Sequence, residues 1–131
     1  MRILVTCIAL ASAFARTAIA QSSAAKTPVG TWRGTSVCLV RQSACTNEIV
    51  VYRITPMMAA DSVAIDGRKI VGGEEQEMGV LGCQLVVQSG QLTCTIPRGV
   101  WHFSVRNDSL IGELRLPDNT RSRVVRAKRA P

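Results

Sequence analysis

The chain is poor in the residues that most often carry chemistry: one histidine, one tyrosine, two phenylalanines and two tryptophans among 131 residues. With His102 as the only histidine, no metal site built on a histidine pair can form. As a general base, His102 also lacks an identifiable acid to orient it or a nucleophile to activate. Scarce aromatics leave no stacking platform for bases, so nucleic acid is not expected as a partner. No apolar run reaches the length needed to cross a bilayer, which argues against stable membrane insertion. Beyond Gly30 no sustained helical period and no internal repeat is present. Glu74, Glu75 and Glu77 follow Gly72-Gly73 without the alternating oxygen ligands of a calcium loop, and read as a solvated acidic loop. No catalytic residues, metal or cofactor are therefore expected, and the protein is not read as an enzyme.

Met1 to Ala20 has the make-up of a secretory signal peptide. Arg2 supplies the positive charge, Ile3 to Phe14 a short apolar core, and Ala18-Ile19-Ala20 the small residues of a cleavage site. Cleavage is expected before Gln21; Arg16 keeps sites near Ala24 or Ala25 open as alternatives. Residues 21–29 are rich in Ser, Ala, Lys and Thr and read as a flexible N-terminal arm. Residues 30–131 form the single domain, with a basic C-terminal end. The expected location is the periplasm or the extracellular space.

Losing the signal would discard Cys7 and leave Cys38, Cys45, Cys83 and Cys94. An even set in a small exported domain implies disulfides, and the spacings are wider than zinc motifs use. Three pairings are possible. The sequence-local one, Cys38–Cys45 with Cys83–Cys94, is preferred because each pair flanks a turn-like segment, Arg41-Gln42-Ser43 in one and Gln88-Ser89-Gly90-Gln91 in the other. A remaining chain of about 110 residues buries only a modest core, and each bridge would add roughly 2–4 kcal/mol.

What the chain does have is short β-branched runs separated by Gly, Pro, Asn and Asp. These are Thr31–Leu39, Glu48–Thr55 (stopped by Pro56), Ser62–Val71, Met78–Val87, Gln91–Ile96, Val100–Arg106, Leu110–Leu116 and Thr120–Lys128. Ser62–Val71 is read either as a tight hairpin turning at Asp66-Gly67 or as one strand with a bulge. The count predicts an all-β fold: a single small antiparallel up-and-down β-barrel of about eight strands, stapled by disulfides and monomeric. Tyr52, Met57, Met58, Met78 and Leu85 are the side chains suited to an apolar mouth, with Tyr52, Met78 and Leu85 taken as ligand-binding. Filling the core is the competing role for all of them. Glu48 shares the face of Val50, Tyr52 and Ile54, where it would be a rim residue or, drawn inside, need Arg33 or Arg115 as partner.

The formal net charge is +7, and Arg121, Arg123, Arg126, Lys128 and Arg129 crowd the C-terminal end. Arg121, Arg123 and Arg129 alternate as an exposed strand face would; a patch for an acidic partner is the other reading.

At the head of the first run stands Gly30-Thr31-Trp32-Arg33-Gly34. The glycine admits the backbone to a barrel floor and the indole plugs it. Gly30-Thr31-Trp32 resembles the Gly-x-Trp signature of lipocalins and their calycin relatives. The resemblance implies a plug of Gly30 and Trp32 crossed by a basic residue of the last strand, Arg126 or Arg123. It also implies non-enzymatic binding of a small apolar ligand or a protein partner. The signal, arm, motif, compact barrel and basic end together resemble periplasmic inhibitors of bacterial metalloproteases. That resemblance implies an alternative: a protease inhibitor acting through its arm, led by Gln21 or Ser22.

Overall fold

Alternation of apolar and polar residues, broken by glycine- and asparagine-bearing turns, gives eight antiparallel strands and no helix among the described residues. The computed structural model describes residues 27–41 and 44–131. The strands are β1 (Gly30–Cys38), β2 (Glu48–Pro56), β3 (Ser62–Val71), β4 (Glu74–Val86), β5 (Gln91–Ile96), β6 (Gly99–Arg106), β7 (Ser109–Arg115) and β8 (Arg121–Arg129). Each pairs with the next, and β8 returns to β1 to close an up-and-down barrel. Both disulfides take the sequence-local pairing, Cys38–Cys45 and Cys83–Cys94. Such bonds belong with folding in an oxidising, exported environment. The signal peptide at residues 1–20 and the arm as far as residue 26 lie outside the described residues.

Ser62–Val71 is one strand, not a hairpin. Asp66-Gly67 stays in the ladder, with Asp66 opposite Arg53 and Val80, while Arg68 Nε donates to Asp66 Oδ1 at 2.9 Å. The turn lies at Gly72-Gly73, with φ of 59° and 84°. A type I′ hairpin needs positive φ at both central residues, which Gly-Gly adopts at no steric cost and Asp-Gly only with some strain at the aspartate. The acidic segment is therefore strand rather than loop. Its carboxylates face arginines on the outer surface: Glu75 accepts two 2.8 Å hydrogen bonds from Arg53, and Glu77 lies 3.2 Å from Arg68. These contacts hold the Glu75 and Asp66 carboxyls below the usual carboxylate range. The pairing shifts register at Gly67/Arg68, which leaves Met78 as the extra residue of a bulge in β4.

One end of the barrel is sealed. Trp32 is fully buried, its Nε1 donates to the Pro28 carbonyl at 2.7 Å, and the Arg129 guanidinium lies 4.2 Å from the ring centre. Arg129 also donates to the Val29 and Thr27 carbonyls at 3.0 and 2.9 Å. Residues 27–29, assigned from sequence to a flexible arm, are thus fastened to the plug. The cation over Trp32 is Arg129, not Arg126 or Arg123. Register decides this: Trp32 pairs with Arg129, whereas Arg126 pairs with Thr35, three residues back and on the outward parity of β8. At Gly30, φ 135° would strain any side chain, and a Cβ 2.9 Å from Arg129 Nη1 would push the guanidinium from its place. Above the plug, Ile54, Val63, Leu92, Leu110 and Val125 fill the adjoining half, each at most 2% exposed.

The weakest junction is β4–β5, which pairs only over Gln84–Val86 with Gln91–Thr93. Cys83 and Cys94 occupy the next antiparallel positions, with Cα atoms 4.3 Å apart, so the disulfide fastens the seam where its ladder stops. Towards the other end, β4 from Glu74 to Gly82 has no partner on its β5 side among the described residues. Replacing Cys83 and Cys94 together by serine is expected to lower stability by roughly 2–3 kcal/mol, the loop-closure value for so short a loop. Urea unfolding measures it, with β5 amides exchanging faster than those of β7. An unchanged midpoint would contradict the seam's dependence on this bond.

Candidate functional site

The half of the barrel away from Trp32 is not filled. Inward positions of all eight strands surround a cavity of about 310 Å³, at the lower limit of ligand pockets. Its apolar wall is Ile65, Met78, Leu81, Ile96, Trp101, Phe103 and Leu114. Leu81 on β4 and Ile96 on β5 stand on either side of the unpaired stretch above the Cys83–Cys94 bond, which borders the cavity laterally.

Glycines make the space. Gly67 and Gly79 face one another across β3–β4; a Cβ on Gly67 would sit 3.6 Å from both the Tyr52 ring and Met78 Cε. Gly112 lets the Phe103 ring lie flat on β7, where a Cβ would meet it at 2.4 Å. Phe103 in turn stacks on Trp101, with centroids 5.3 Å apart and planes 13° from parallel, and meets Tyr52 edge to face at 6.0 Å. Three of the chain's five aromatic residues thus gather at this one wall.

The opposite wall is polar. Arg123 enters on the inward parity of Val125 and Ala127, opposite Leu114 and Cys38, and the β7–β8 register slip that skips Ser122 turns Arg121 outward instead. Its Nη1 donates to Ser36 Oγ at 2.7 Å and its Nη2 to the Thr46 carbonyl at 2.8 Å. Glu48 stands 3.6 Å from Arg123 and 3.6 Å from Lys69 Nζ, so its partners are these two cations rather than Arg33 or Arg115. Arg33 points outward, and Arg115 is held by Glu113 at 2.8 Å. The alternation of Arg121, Arg123 and Arg129 that read as an exposed face is therefore divided. Arg121 is exposed, whereas Arg123 and Arg129 turn inward at opposite ends of the barrel.

Tyr52 is 6% exposed and lines the cavity. Burial raises its phenol pKa above the usual range; Arg123 works against that rise and Glu48 adds to it. The hydroxyl is thus a neutral donor at any physiological pH.

Of the residues singled out from sequence, Tyr52 and Met78 line this cavity. Leu85 does not: it lies towards the plugged end, opposite Leu92, and packs against the core. Met57 and Met58 sit in the β2–β3 connection at the plugged end, 47% and 106% exposed, away from the mouth. His102 is on the outer surface opposite Glu113. Among the described residues no cluster of three His, Cys, Asp or Glu side chains could hold a metal ion, and no helix is long and apolar enough to cross a membrane. Sequence reasoning missed Ser36, Lys69 and above all Arg123. The available signal for Arg123 was its shared parity with Val125 and Ala127, both buried.

The closed eight-stranded barrel is compatible with a lipocalin-like fold on architecture alone. No protein-family model matches the sequence, and no curated protein does.

Proposed function

We propose that this is an exported, non-enzymatic, lipocalin-like barrel that binds a small apolar ligand in the open half, in the periplasm or outside the cell. The observation that supports it is the asymmetry of the interior. One half is packed around Trp32, while the other keeps about 310 Å³ of space behind an aromatic wall. A large side chain at Gly67, whose Cβ would sit 3.6 Å from Tyr52 and Met78 in the cavity lining, would have filled that space. An apolar wall with a few convergent polar groups is the usual make-up of a ligand site.

Titration with the neutral apolar fluorophore N-phenyl-1-naphthylamine tests the reading. Saturable binding at one per barrel is expected, with quenching of Trp101. Leu114→Trp, which fills the cavity, should abolish binding and leave the melting temperature within a few degrees. Native mass spectrometry of the purified protein should show a co-purifying small molecule. Absence of both saturable binding and any retained molecule would overturn the proposal.

A further inference from the structure

We infer that the ligand of this cavity is a small amphiphile carrying a single negative charge, its anionic group received by Arg123 and the Tyr52 hydroxyl and its apolar body by the Trp101–Phe103 wall. The inference rests on the binding role proposed above and names its ligand class.

Three observations carry it. The polar wall holds one cation, Arg123, and one carboxylate, Glu48; Lys69, outside the cavity lining and 36% exposed, adds a second positive charge 3.6 Å from that carboxylate. Glu48 is thus shared between two cations, which leaves the charge of Arg123 only partly offset. Next, Arg123 is not saturated. A guanidinium offers five N–H donors, and Ser36 and Thr46 take one nitrogen each. Glu48 at 3.6 Å is beyond hydrogen-bond range, attracting the charge without occupying its donors. Finally, the Tyr52 hydroxyl has no hydrogen-bond partner among the described residues, although Tyr52 is 6% exposed. Among the described residues no fully buried side-chain oxygen lacks a partner, so this hydroxyl is reachable by solvent, and Tyr52 lines the cavity. A reachable donor of this kind is free to bond an acceptor on whatever fills the cavity. Charge-assisted bonds from a guanidinium and a phenol to one anion are the strong class. The volume, at the lower limit for ligand sites, favours a short or flat molecule over a long chain.

The experiment is displacement of N-phenyl-1-naphthylamine by three molecules of matched length: octanoate, octan-1-ol and octylamine. Octanoate is expected to compete at least ~10-fold better than the alcohol, with the amine weakest, and high salt should narrow the gap. Tyr52→Phe and Arg123→Gln should each narrow the octanoate-to-octan-1-ol ratio about tenfold, the loss of one charge-assisted hydrogen bond. If Arg123→Gln does not fold, Tyr52→Phe and the octanoate-to-octanol ratio still decide. Equal competition by acid and alcohol, preference for the amine, or selectivity surviving both substitutions would overturn this inference while leaving the binding role standing. Failure of the fluorophore itself to bind would remove both.

Discussion

Trp32→Ala is expected to lower the stability of the barrel by roughly 3–5 kcal/mol, as large-to-small substitutions of fully buried aromatics do. Three losses coincide at this position. The indole is fully buried, so its removal leaves a cavity against Ile54, Leu110 and neighbouring side chains. The Pro28 carbonyl loses the 2.7 Å hydrogen bond from Nε1, and Pro28 is itself among the most buried residues. Arg129 loses the ring face at 4.2 Å, a contact worth on the order of 0.5–2 kcal/mol depending on burial. Urea unfolding measures the sum. Arg129→Met made in both the native and the Trp32→Ala background should be less damaging in the second, because its main partner is already gone. A melting temperature unchanged by Trp32→Ala would mean that Trp32 does not seal the floor.

Gly34→Ala is the second large effect, and a single methyl group causes it. A Cβ at Gly34 would lie 1.9 Å from the Arg126 carbonyl oxygen and 2.5 Å from Ala127 Cα. Both obstacles are backbone, so no side-chain rotation relieves the clash. To admit the methyl, β1 and β8 must part, and they form the junction that closes the barrel. The expected cost is roughly 3 kcal/mol or more, at the upper end of overpacking effects, with β1 and β8 amides losing protection from exchange together. Gly82→Ala is the control: nothing lies within 4 Å of a Cβ there, and its effect should stay within about 0.5 kcal/mol. Comparable effects at both positions would refute the close approach of β1 to β8.

Much of the fold was legible because β-structure with one buried face writes itself as alternation. Val50, Tyr52 and Ile54 point inward, as do Trp101, Phe103 and Val105, and both disulfides join the cysteines that flank a turn. The candidate site was legible only in part. Tyr52 and Met78 were found as side chains suited to an apolar mouth, but Met57, Met58 and Leu85 have the same character and lie towards the other end. Side-chain type carries no information about which end of a barrel a residue reaches. That follows from strand direction and stagger, which are properties of the closed sheet.

The arginines show the same division most clearly. The amino-acid sequence by itself determined that the chain is a small all-β barrel, that Gly30 and Trp32 start it, and that its last strand is basic. Each of those follows from local periodicity, backbone freedom or composition. Which arginine does what was settled only by the tertiary structure. On β8 a single extra residue at Ser122 separates the outward Arg121 from the inward Arg123. Pairing with β1 then puts Arg129, and not Arg126, over the indole. A shift of one residue in a strand exchanges inside for outside, so five closely spaced cations of similar chemistry are sorted into a floor bolt, a cavity wall and a solvated surface by register alone.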